Sequence, residues 1–242
     1  MIALKNAILQ QYIRLTEFLG RVLGPDYEIV LHDLTVQEHS IIAIANSHVS
    51  GRAVGAPLTN VALQILADQS YQTSDYRLND RGLSAGNRML RASTFFIKDE
   101  EGRLIGLLCI NFDDSRYQEL GERILRLCHP DAFVGMNFAF DETWFSLPPD
   151  GAAPVESYHN SIGAVASEAV AVALREMGQT ADHLSQEDKM RVVEQLEAQG
   201  VFLLKGAVKD VAFQLGCSQA SVYRYLTRIR EQQAAVPQNR KE

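Results

Sequence analysis

One stretch of twenty residues near the C-terminal end, VKDVAFQLGCSQASVYRYLT (208–227), limits the possible fold more than any other part of the chain. Its apolar residues recur at helical spacing on both sides of a glycine, which predicts two short helices joined by a tight turn. Two helices that cross steeply need a small residue at their contact, and the turn needs a residue that tolerates positive φ. Ala212 and Gly216 stand at these positions. The segment therefore predicts a helix-turn-helix.

The other positions of this segment divide into an inner and an outer set. The residues predicted to lock the two helices together are Val211, Leu215, Cys217, Val222 and Tyr225. Ser218 is placed to cap the second helix. The residues that we predict to contact DNA are Lys209, Ser218, Gln219, Ala220, Ser221, Tyr223, Arg224, Thr227 and Arg228. Gln and Arg side chains can bind adenine and guanine edges bidentately, whereas Ser, Tyr, Thr and Lys more often hold phosphates.

Two other functions are compatible with the same segment. As an ordinary helical hairpin, it would be a structural part of a ligand-binding metabolic module. As an exposed helix face, it would bind another protein and make the chain an interaction adaptor. A gel shift tests the first alternative. The salt dependence of DNA affinity tests the second, because phosphate contacts release counterions.

The formal net charge of −7, taken over the whole chain, argues against a nucleic-acid-binding protein. The charge is unevenly distributed, however. Residues 1–150 carry a net charge of −6, residues 151–184 of −3 and residues 185–242 of +2. Within 203–230, five basic residues stand against one acidic residue. The acidic excess therefore lies outside the predicted helix-turn-helix, and we expect nonspecific DNA binding to be weak.

The composition changes along the chain, which predicts its division into domains. Residues 147–156 include LPPDGAAP, with three of the seven prolines, and are typical of a linker. We predict a sensor domain over 1–146, a connector or dimerisation helix over 157–184, a helix-turn-helix domain over 185–231 and a disordered tail over 232–242. A helix over 185–198 begins at Ser185, which has the spacing of a capping box with Asp188.

The sensor region mixes helical and strand patterns, so the expected fold class is α+β. Apolar residues at helical spacing predict helices over 1–24, after Thr59 and over 115–128. Apolar runs rich in β-branched residues predict a strand pair over 27–33 and 40–46 and a hairpin over 88–98 and 103–112. Residues 70–87 show no clear period. This order is typical of a PAS-like antiparallel sheet with flanking helices, followed by an all-α helix-turn-helix domain.

Several polar residues interrupt the apolar strands and the loop that follows them. Buried polar groups need partners, and a small polar ligand is one such partner. The predicted ligand-binding residues are His32, Asp33, Asn46, His48, Arg52, Arg91, Ser93 and Asn111. Arg52 and Arg91 are of the type that clamps a carboxylate bidentately. Structural roles remain open as well, with His32 and Asp33 as an internal pair and Arg91 as a solvated residue.

Other classes of function lack support in the sequence. Cys109, Cys128 and Cys217 match no zinc pattern, and the histidines are spread over two strands and a loop, so neither a metal nor another cofactor is expected. Neither GxSxG nor HExxH occurs, and we do not expect an enzyme. No signal peptide and no run of about 18 apolar residues is found, so we expect no membrane association. Three reduced thiols are typical of a cytoplasmic protein.

The chain also resembles a known family over about residues 5–228. The segments that carry this resemblance are FLGRVLGPDYEIVLHDL, SIIAIANSHVSGRAVGAPLT, LLCINFD and GVFLLKGAVKDVAFQLGCSQASVYRYL. They are similar to the YheO-like PAS domain and to the helix-turn-helix that accompanies it. The resemblance implies a bacterial, nucleoid-associated transcriptional regulator. One branch of the family resembles a repressor of D-arginine utilisation, so a repressor that senses an amino acid is one expectation.

The resemblance also implies which residues line or shape a ligand pocket. By position, the family's motifs fall on His32-Asp33-Leu34, Asn46, His48, Ser50-Gly51-Arg52 and Gly55 to Thr59.

Double-stranded operators are usually read by symmetric dimers, so we expect a homodimer or a higher even oligomer. The helices over 1–24 and 157–177 are the candidates for the contact between subunits.

Overall fold

A computed structural model of the chain describes residues 2–84, 86, 88–128, 156–179 and 184–235, and it contains one sheet with the strand order β2-β1-β5-β4-β3-β6. The strands are β1 (Tyr27–Asp33), β2 (Ile41–Ala45), β3 (Tyr76–Leu83), β4 (Met89–Lys98), β5 (Leu104–Phe112) and β6 (Glu156–Ser157). All neighbouring strands are antiparallel except β3 and β6, which pair in parallel. The sheet is therefore mixed, whereas the sequence predicted an antiparallel one.

Each face of the sheet packs against a different helix, because side chains alternate along a strand. The helix α1 (Ile2–Leu23) packs over one face, here called the α1 side, where its Leu9 meets a cluster that includes Ile29, Leu31 and Leu108. The opposite α2 side is covered by α2 (Asn60–Asp68), whose core includes Val30, Phe96, Leu107 and Cys109. Thr59 caps α2 through its hydroxyl, as predicted.

The C-terminal part is all helical. Its helices are α4 (Ile162–Glu176), α5 (Gln186–Ala198), α6 (Ala207–Gln214) and α7 (Gln219–Ala235), and α3 (Ser115–Cys128) precedes them in the chain. Ser185 and Asp188 form the predicted capping box at the start of α5. The apolar residues of α4 are buried within the chain against α5 and α6, so α4 presents less apolar surface than α1, where Phe18 and Val22 are exposed.

The helical part contacts the sheet part through the turn that precedes α6. Gly200 has a φ of +75°, and a Cβ at this position would lie 2.8 Å from the carbonyl oxygen of Leu63 in α2. The Lys205 amide donates to the Glu38 carboxylate at 3.2 Å. A movement of α2 would therefore displace the turn that leads into α6.

The structure differs from the sequence predictions at three places. Residues 70–87 contain a 3-10 turn (Ser70–Gln72) and the strand β3, where a register shift between Arg77 and Asp80 disrupts the alternation that would have revealed a strand. The helix predicted from residue 157 begins at Ile162, because Ser161 caps it. Residues 232–235 of the predicted tail extend α7.

The other predicted elements are confirmed within a residue or two: the strand pair, the hairpin, α3 and the helix-turn-helix. The prolines of the predicted linker lie outside the described residues, as do residues 236–242 of the predicted tail. None of the helices in the described ranges is long and apolar enough to cross a membrane.

Candidate nucleic-acid interface and sensor site

The turn between α6 and α7 has the geometry that the sequence predicted. Gly216 adopts a φ of +57°, which favours glycine because it carries no Cβ. The Cys217 amide donates to the Ala212 carbonyl at 3.0 Å, and the Ser221 amide donates to the Ser218 hydroxyl at 3.2 Å. Ala212 is buried at the contact between the helices. These contacts fix the angle at which α7 leaves the domain.

Burial along α6, the turn and α7 separates the residues that lock the two helices together from the exposed outer face. Val211, Leu215, Val222 and Tyr225 are buried as predicted, and Cys217 is half-buried. Two more residues of α7, Leu226 and Ile229, are buried in the same core and were not predicted. They continue the apolar stripe by one turn, so a longer window of the helical pattern identifies them.

The residues predicted to contact DNA lie together on the opposite, exposed face of α7. Gln219, Ala220, Tyr223, Arg224, Thr227 and Arg228 are exposed on α7, Ser221 is half-buried there, and Ser218 lies exposed just before its first turn. Lys209 is exposed on α6. The Thr227 hydroxyl donates to the Tyr223 carbonyl at 3.0 Å, and the Arg224 guanidinium lies 5.8 Å from the centre of the Tyr225 ring. We call this exposed set the α7 outer face.

Two basic residues near α7 have structural partners. Arg230 donates to Glu197 at 2.7 Å, and this hydrogen bond raises the pKa of Arg230. Lys189, which the sequence analysis did not single out, donates to the Gly216 carbonyl at 3.4 Å and brings a positive charge to the turn. Phe213 on α6 is 83% exposed, an unusual position for an aromatic residue beside this turn. No local sequence signal marked Lys189, because its partner lies 27 residues away.

A second cluster of polar side chains is buried on the α2 side of the sheet. Glu28 on β1 pairs in register with Asn111 on β5, and the Asn111 amide donates to the Glu28 carboxylate at 2.8 Å. The Ser50 hydroxyl donates to the other Glu28 oxygen at 2.7 Å. The Tyr158 hydroxyl lies within hydrogen-bond distance of both Asn111 and Glu156. The cluster thus joins β1, β5 and β6 through side chains.

Arg52 is the cation of this cluster. It is only 3% exposed, and one of its terminal nitrogens donates to the Pro57 carbonyl. Its Nε has no hydrogen-bond partner within the described part of the chain. Burial lowers the pKa of Arg52, while the nearby charges of Glu156 and Glu28 act in the opposite direction. A buried donor without a partner is the feature expected of a site that receives another molecule.

Burial shifts the pKa values of the neighbouring groups in the direction that favours their neutral forms. It raises the pKa of Glu28 and of Glu156, and it raises the pKa of the Cys109 thiol to about 12. It lowers the pKa of His32 well below the ordinary value, and the charge of Arg52 acts in the same direction. The site is therefore one in which a charged partner interacts strongly, because water is excluded.

The structure brings together only part of the predicted ligand-binding set. Arg52, Asn111 and His32 lie on the α2 side, where the His32 ring is 2.9 Å from the Ser40 hydroxyl. Arg91 and Ser93 lie on the α1 side, because odd-numbered residues of β4 face away from α2. There Arg91 lies 5.2 Å from the Phe112 ring centre, and Ser93 accepts from the Asn79 amide. The structure therefore places Arg52 and Arg91 on opposite sides of the sheet and does not bring them together.

The remaining three predicted residues have local roles or face solvent. The Asn46 side-chain amide lies within 3.0 Å of three carbonyls, those of Gly20, Gly24 and Tyr27, and so ties the end of α1 to β1. Asp33 accepts from the amide and the hydroxyl of Thr35. His48 is exposed.

The acidic members of the site were not predicted from the sequence. The sequence does contain a pattern that could have identified Glu28, since a lone carboxylate inside the apolar strand YEIVLHD needs a partner. It contains no such pattern for Glu156 and Tyr158, because they reach the site only through the parallel strand β6. Asp80 on β3 is 7% exposed, with one carboxylate oxygen paired to Arg77 and the other without a partner among the described residues.

Comparison with known families assigns both parts of the chain. The model of the YheO-like PAS domain matches residues 3–129, more than half of the chain. This chain belongs to the YheO-like PAS domain family. A helix-turn-helix domain model matches residues 165–227 and so includes most of α4 as well as α5, α6 and the first part of α7. A YheO-like PAS domain joined to a DNA-binding helix-turn-helix makes the chain a transcriptional regulator.

Three relatives share this arrangement over nearly their whole length. An uncharacterized protein of Haemophilus influenzae is 27% identical, with 94% of each chain covered. The uncharacterized protein YheO of Escherichia coli is 26% identical over 92% of this chain and 85% of its own. The transcriptional regulator DauR of Pseudomonas aeruginosa is 23% identical over 92% of this chain and 95% of its own.

Proposed function

We propose that this YheO-like regulator represses transcription by binding operator DNA with the α7 outer face, under the control of a small polar ligand in its PAS domain. The observation that carries the proposal is the position of Gln219 and Arg224. Both are exposed near the start of a helix whose opposite side is locked into the domain. A recognition helix presents its N-terminal residues to the major groove in this way.

The side chains of the α7 outer face divide into two tasks. Gln219 and Arg224 are suited to read base edges, because an amide and a guanidinium can each form two hydrogen bonds to one base. Ser218, Tyr223 and Lys209 are suited to hold phosphates, which position the helix without reading sequence. A symmetric operator would need two such faces, so we propose a homodimer or a higher even oligomer as the binding form.

We place the ligand on the α2 side of the PAS sheet, around Arg52. Its unpartnered Nε supports an acceptor group in the ligand, such as a carboxylate, and His32 and Asn111 belong to the same buried surface. An amino acid has a group of this kind and is one candidate. Arg91 and Ser93 have no part in this site, since they lie on the α1 side.

A physical route links that site to α7. Glu156, beside Arg52, accepts from the Thr59 hydroxyl at 2.6 Å, and Thr59 caps α2. The other end of α2 lies close to Gly200, in the turn before α6. A ligand that rearranges Arg52 and Glu156 would shift α2 and thereby the population of DNA-competent arrangements.

The test of DNA binding uses the full chain and random fragments of its own genome. The chain should retain a small set of fragments, and Gln219→Ala with Arg224→Ala should lose that retention without a lower melting temperature. Arg230→Ala is the matched control, because it removes the same charge from the same helix at a residue that pairs with Glu197. Retention by the double variant would exclude α7 as the reading helix.

Three further measurements test the alternative functions, the ligand and the direction of regulation. A DNA association constant whose logarithm falls linearly with the logarithm of salt concentration supports phosphate contacts and argues against a protein-binding adaptor. Mass spectrometry of the purified chain should find a polar molecule that Arg52→Met no longer retains. Higher transcription of a bound promoter in cells that lack the protein would support repression, and lower transcription would contradict it.

A further inference from the structure

The helix α3 carries an apolar stripe that the described part of the chain leaves mostly exposed, although the Tyr117 ring lies 5.6 Å from the ring of Phe112 on β5. Tyr117, Leu120, Ile124 and Leu127 follow each other at steps of three, four and three residues, and their exposed fractions lie between 52% and 85%. None of the 14 residues of α3, all of them described, is buried. Apolar residues at these steps occupy the a and d positions of a heptad, which form the contact in a coiled coil. We call these four residues the α3 seam.

We propose that the α3 seam pairs in parallel with the α3 seam of a second copy of this chain. The inference deepens the proposed function, in which two reading helices are needed and therefore two copies. Exposed apolar patches of this kind mark interaction sites in proteins that otherwise bury such residues. The second copy is the occupant that the following observations favour.

The charges beside the seam favour two parallel helices of the same sequence. Arg116 and Arg123 stand at the g positions, and Gly121 and Cys128 stand at the e positions. In a parallel pair each g position faces an e position of the partner, so the arginines meet neutral residues. An antiparallel pair would place the two arginine flanks against each other, which is unfavourable for like charges; Asp26 offsets the charge of Arg116 but not that of Arg123.

A second exposed apolar stripe, on α1, adds to the apolar surface of the two heptads in α3. Leu15, Phe18 and Val22 on α1 are exposed at steps of three and four residues. The two helices approach each other where Arg116 donates to Asp26 at 2.9 Å, three residues after the end of α1. Two heptads alone would be too short for a stable pair, because isolated short helices are marginal in water. The α1 stripe, whose Val22 lies four residues before Asp26, is the nearest further apolar surface along the chain from which a stable subunit contact can draw additional area.

A cysteine placed in the seam tests the pairing and its direction. In a Cys128→Ser background, Leu127→Cys puts a thiol at a d position, where the two copies of a parallel pair face each other. Mild oxidation of the full chain without DNA should give a disulfide-linked dimer. Glu122→Cys in the same background is the matched control on the opposite side of α3, and it should stay unlinked.

The outcomes are distinct. A cross-link at position 127 and none at 122 supports the proposal. Equal cross-linking, or none at either position, overturns it. The second of these is the result expected if the two helices were antiparallel or if residues 129–155 of the same chain covered the seam.

A pair of charge substitutions provides an independent readout. Leu120→Glu with Ile124→Glu should convert the dimer to a monomer in sedimentation, while Gln118→Glu on the other side should leave it a dimer. The melting temperature of the variant should stay close to that of the wild-type chain diluted until its dimer dissociates, since both Leu120 and Ile124 are exposed. A dimer that persists contradicts the inference. If the variant is monomeric and the wild-type chain still fails to retain genomic DNA, the proposed function fails while the seam is supported.

Discussion

His32 is the buried residue with the clearest pH dependence. Its pKa in the folded chain lies well below 6.5, mainly because of burial. As the pH falls below 6.5, the unfolded chain binds a proton before the folded chain does, so stability is lost between pH 6.5 and the lower folded pKa. His32→Asn, which retains a polar group beside Ser40, should reduce the slope of the free energy of unfolding by up to about 1.4 kcal/mol per pH unit. Urea unfolding at several values between pH 7 and 5 measures this slope.

Glu28 provides a control of opposite sign. Burial raises its pKa, so its contribution to stability is present below about pH 4.5 and is lost as the pH rises through the folded pKa. Glu28→Gln removes this opposing contribution and should make stability rise more steeply with pH between about 4.5 and the raised pKa of Glu28 in the folded chain. If both variants changed the slope in the same direction, the assignment of protonation states at this site would be wrong.

Arg52 holds the charge balance of the sensor site. Arg52→Met would remove the positive charge that acts on the buried Glu28 and Glu156. Losing one member of a buried group of charges costs up to about 3–5 kcal/mol. The expected result is a marked fall in the free energy of unfolding at pH 7, with partial recovery at lower pH as the carboxyls are protonated. Arg91→Met, at an exposed residue on the α1 side, should cost less than about 1 kcal/mol. Similar losses for both variants would contradict the burial of Arg52 as described.

The residue types of the sensor site were readable from the sequence, but their arrangement was not. Arg52 and Asn111 were identified because polar side chains stood out among apolar neighbours. The separation of Arg91 from Arg52 depends on which face each strand residue points to, and this follows from register between strands. The position of Glu156 in the site depends on the parallel pairing of the two-residue strand β6 with β3. Such a contact joins segments far apart in sequence and leaves no periodic signal.

Among the elements, the pair α6 and α7 depends most on a single small side chain. Ala212 is buried where the helices touch. Ala212→Leu adds three carbon atoms to this contact and should cost about 1–3 kcal/mol through overpacking. We expect it to abolish operator retention by changing the angle of α7. Ala198→Leu, at an exposed residue of α5 outside the α7 outer face, is the control that should keep both stability and retention, and circular dichroism melting checks both variants.

The elements that could be predicted from the sequence are those whose apolar residues recur at regular spacing. The helix-turn-helix was predicted from the sequence because its turn, its small contact residue and its apolar stripe are all local features. The strand β3 was missed because Asn79 has a φ of +60° and the pairing with β4 shifts register nearby. A bulge of this kind breaks the alternation by which strands are recognised.

At the scale of the whole molecule, the uneven charge should govern how the protein approaches DNA. The net charge is −7, yet the segment 203–230 carries five basic residues against one acidic residue. The logarithm of operator affinity should therefore fall linearly with the logarithm of salt concentration, and Arg228→Ala should reduce that slope by about 1. Arg21→Ala, at a paired residue on α1, should leave the slope unchanged. A slope near zero for the wild-type chain would contradict phosphate contacts.

The most direct test of sequence reading by α7 is the ratio of two dissociation constants. They are measured at one salt concentration, for a retained operator and for a scrambled duplex of the same length. Gln219→Ala with Arg224→Ala should weaken operator binding by about 30-fold or more, since each bidentate contact contributes about 1–3 kcal/mol of discrimination. Binding to the scrambled duplex should change much less, and Arg230→Ala should preserve the ratio. An unchanged ratio in the double variant would show that DNA sequence is read elsewhere in the protein.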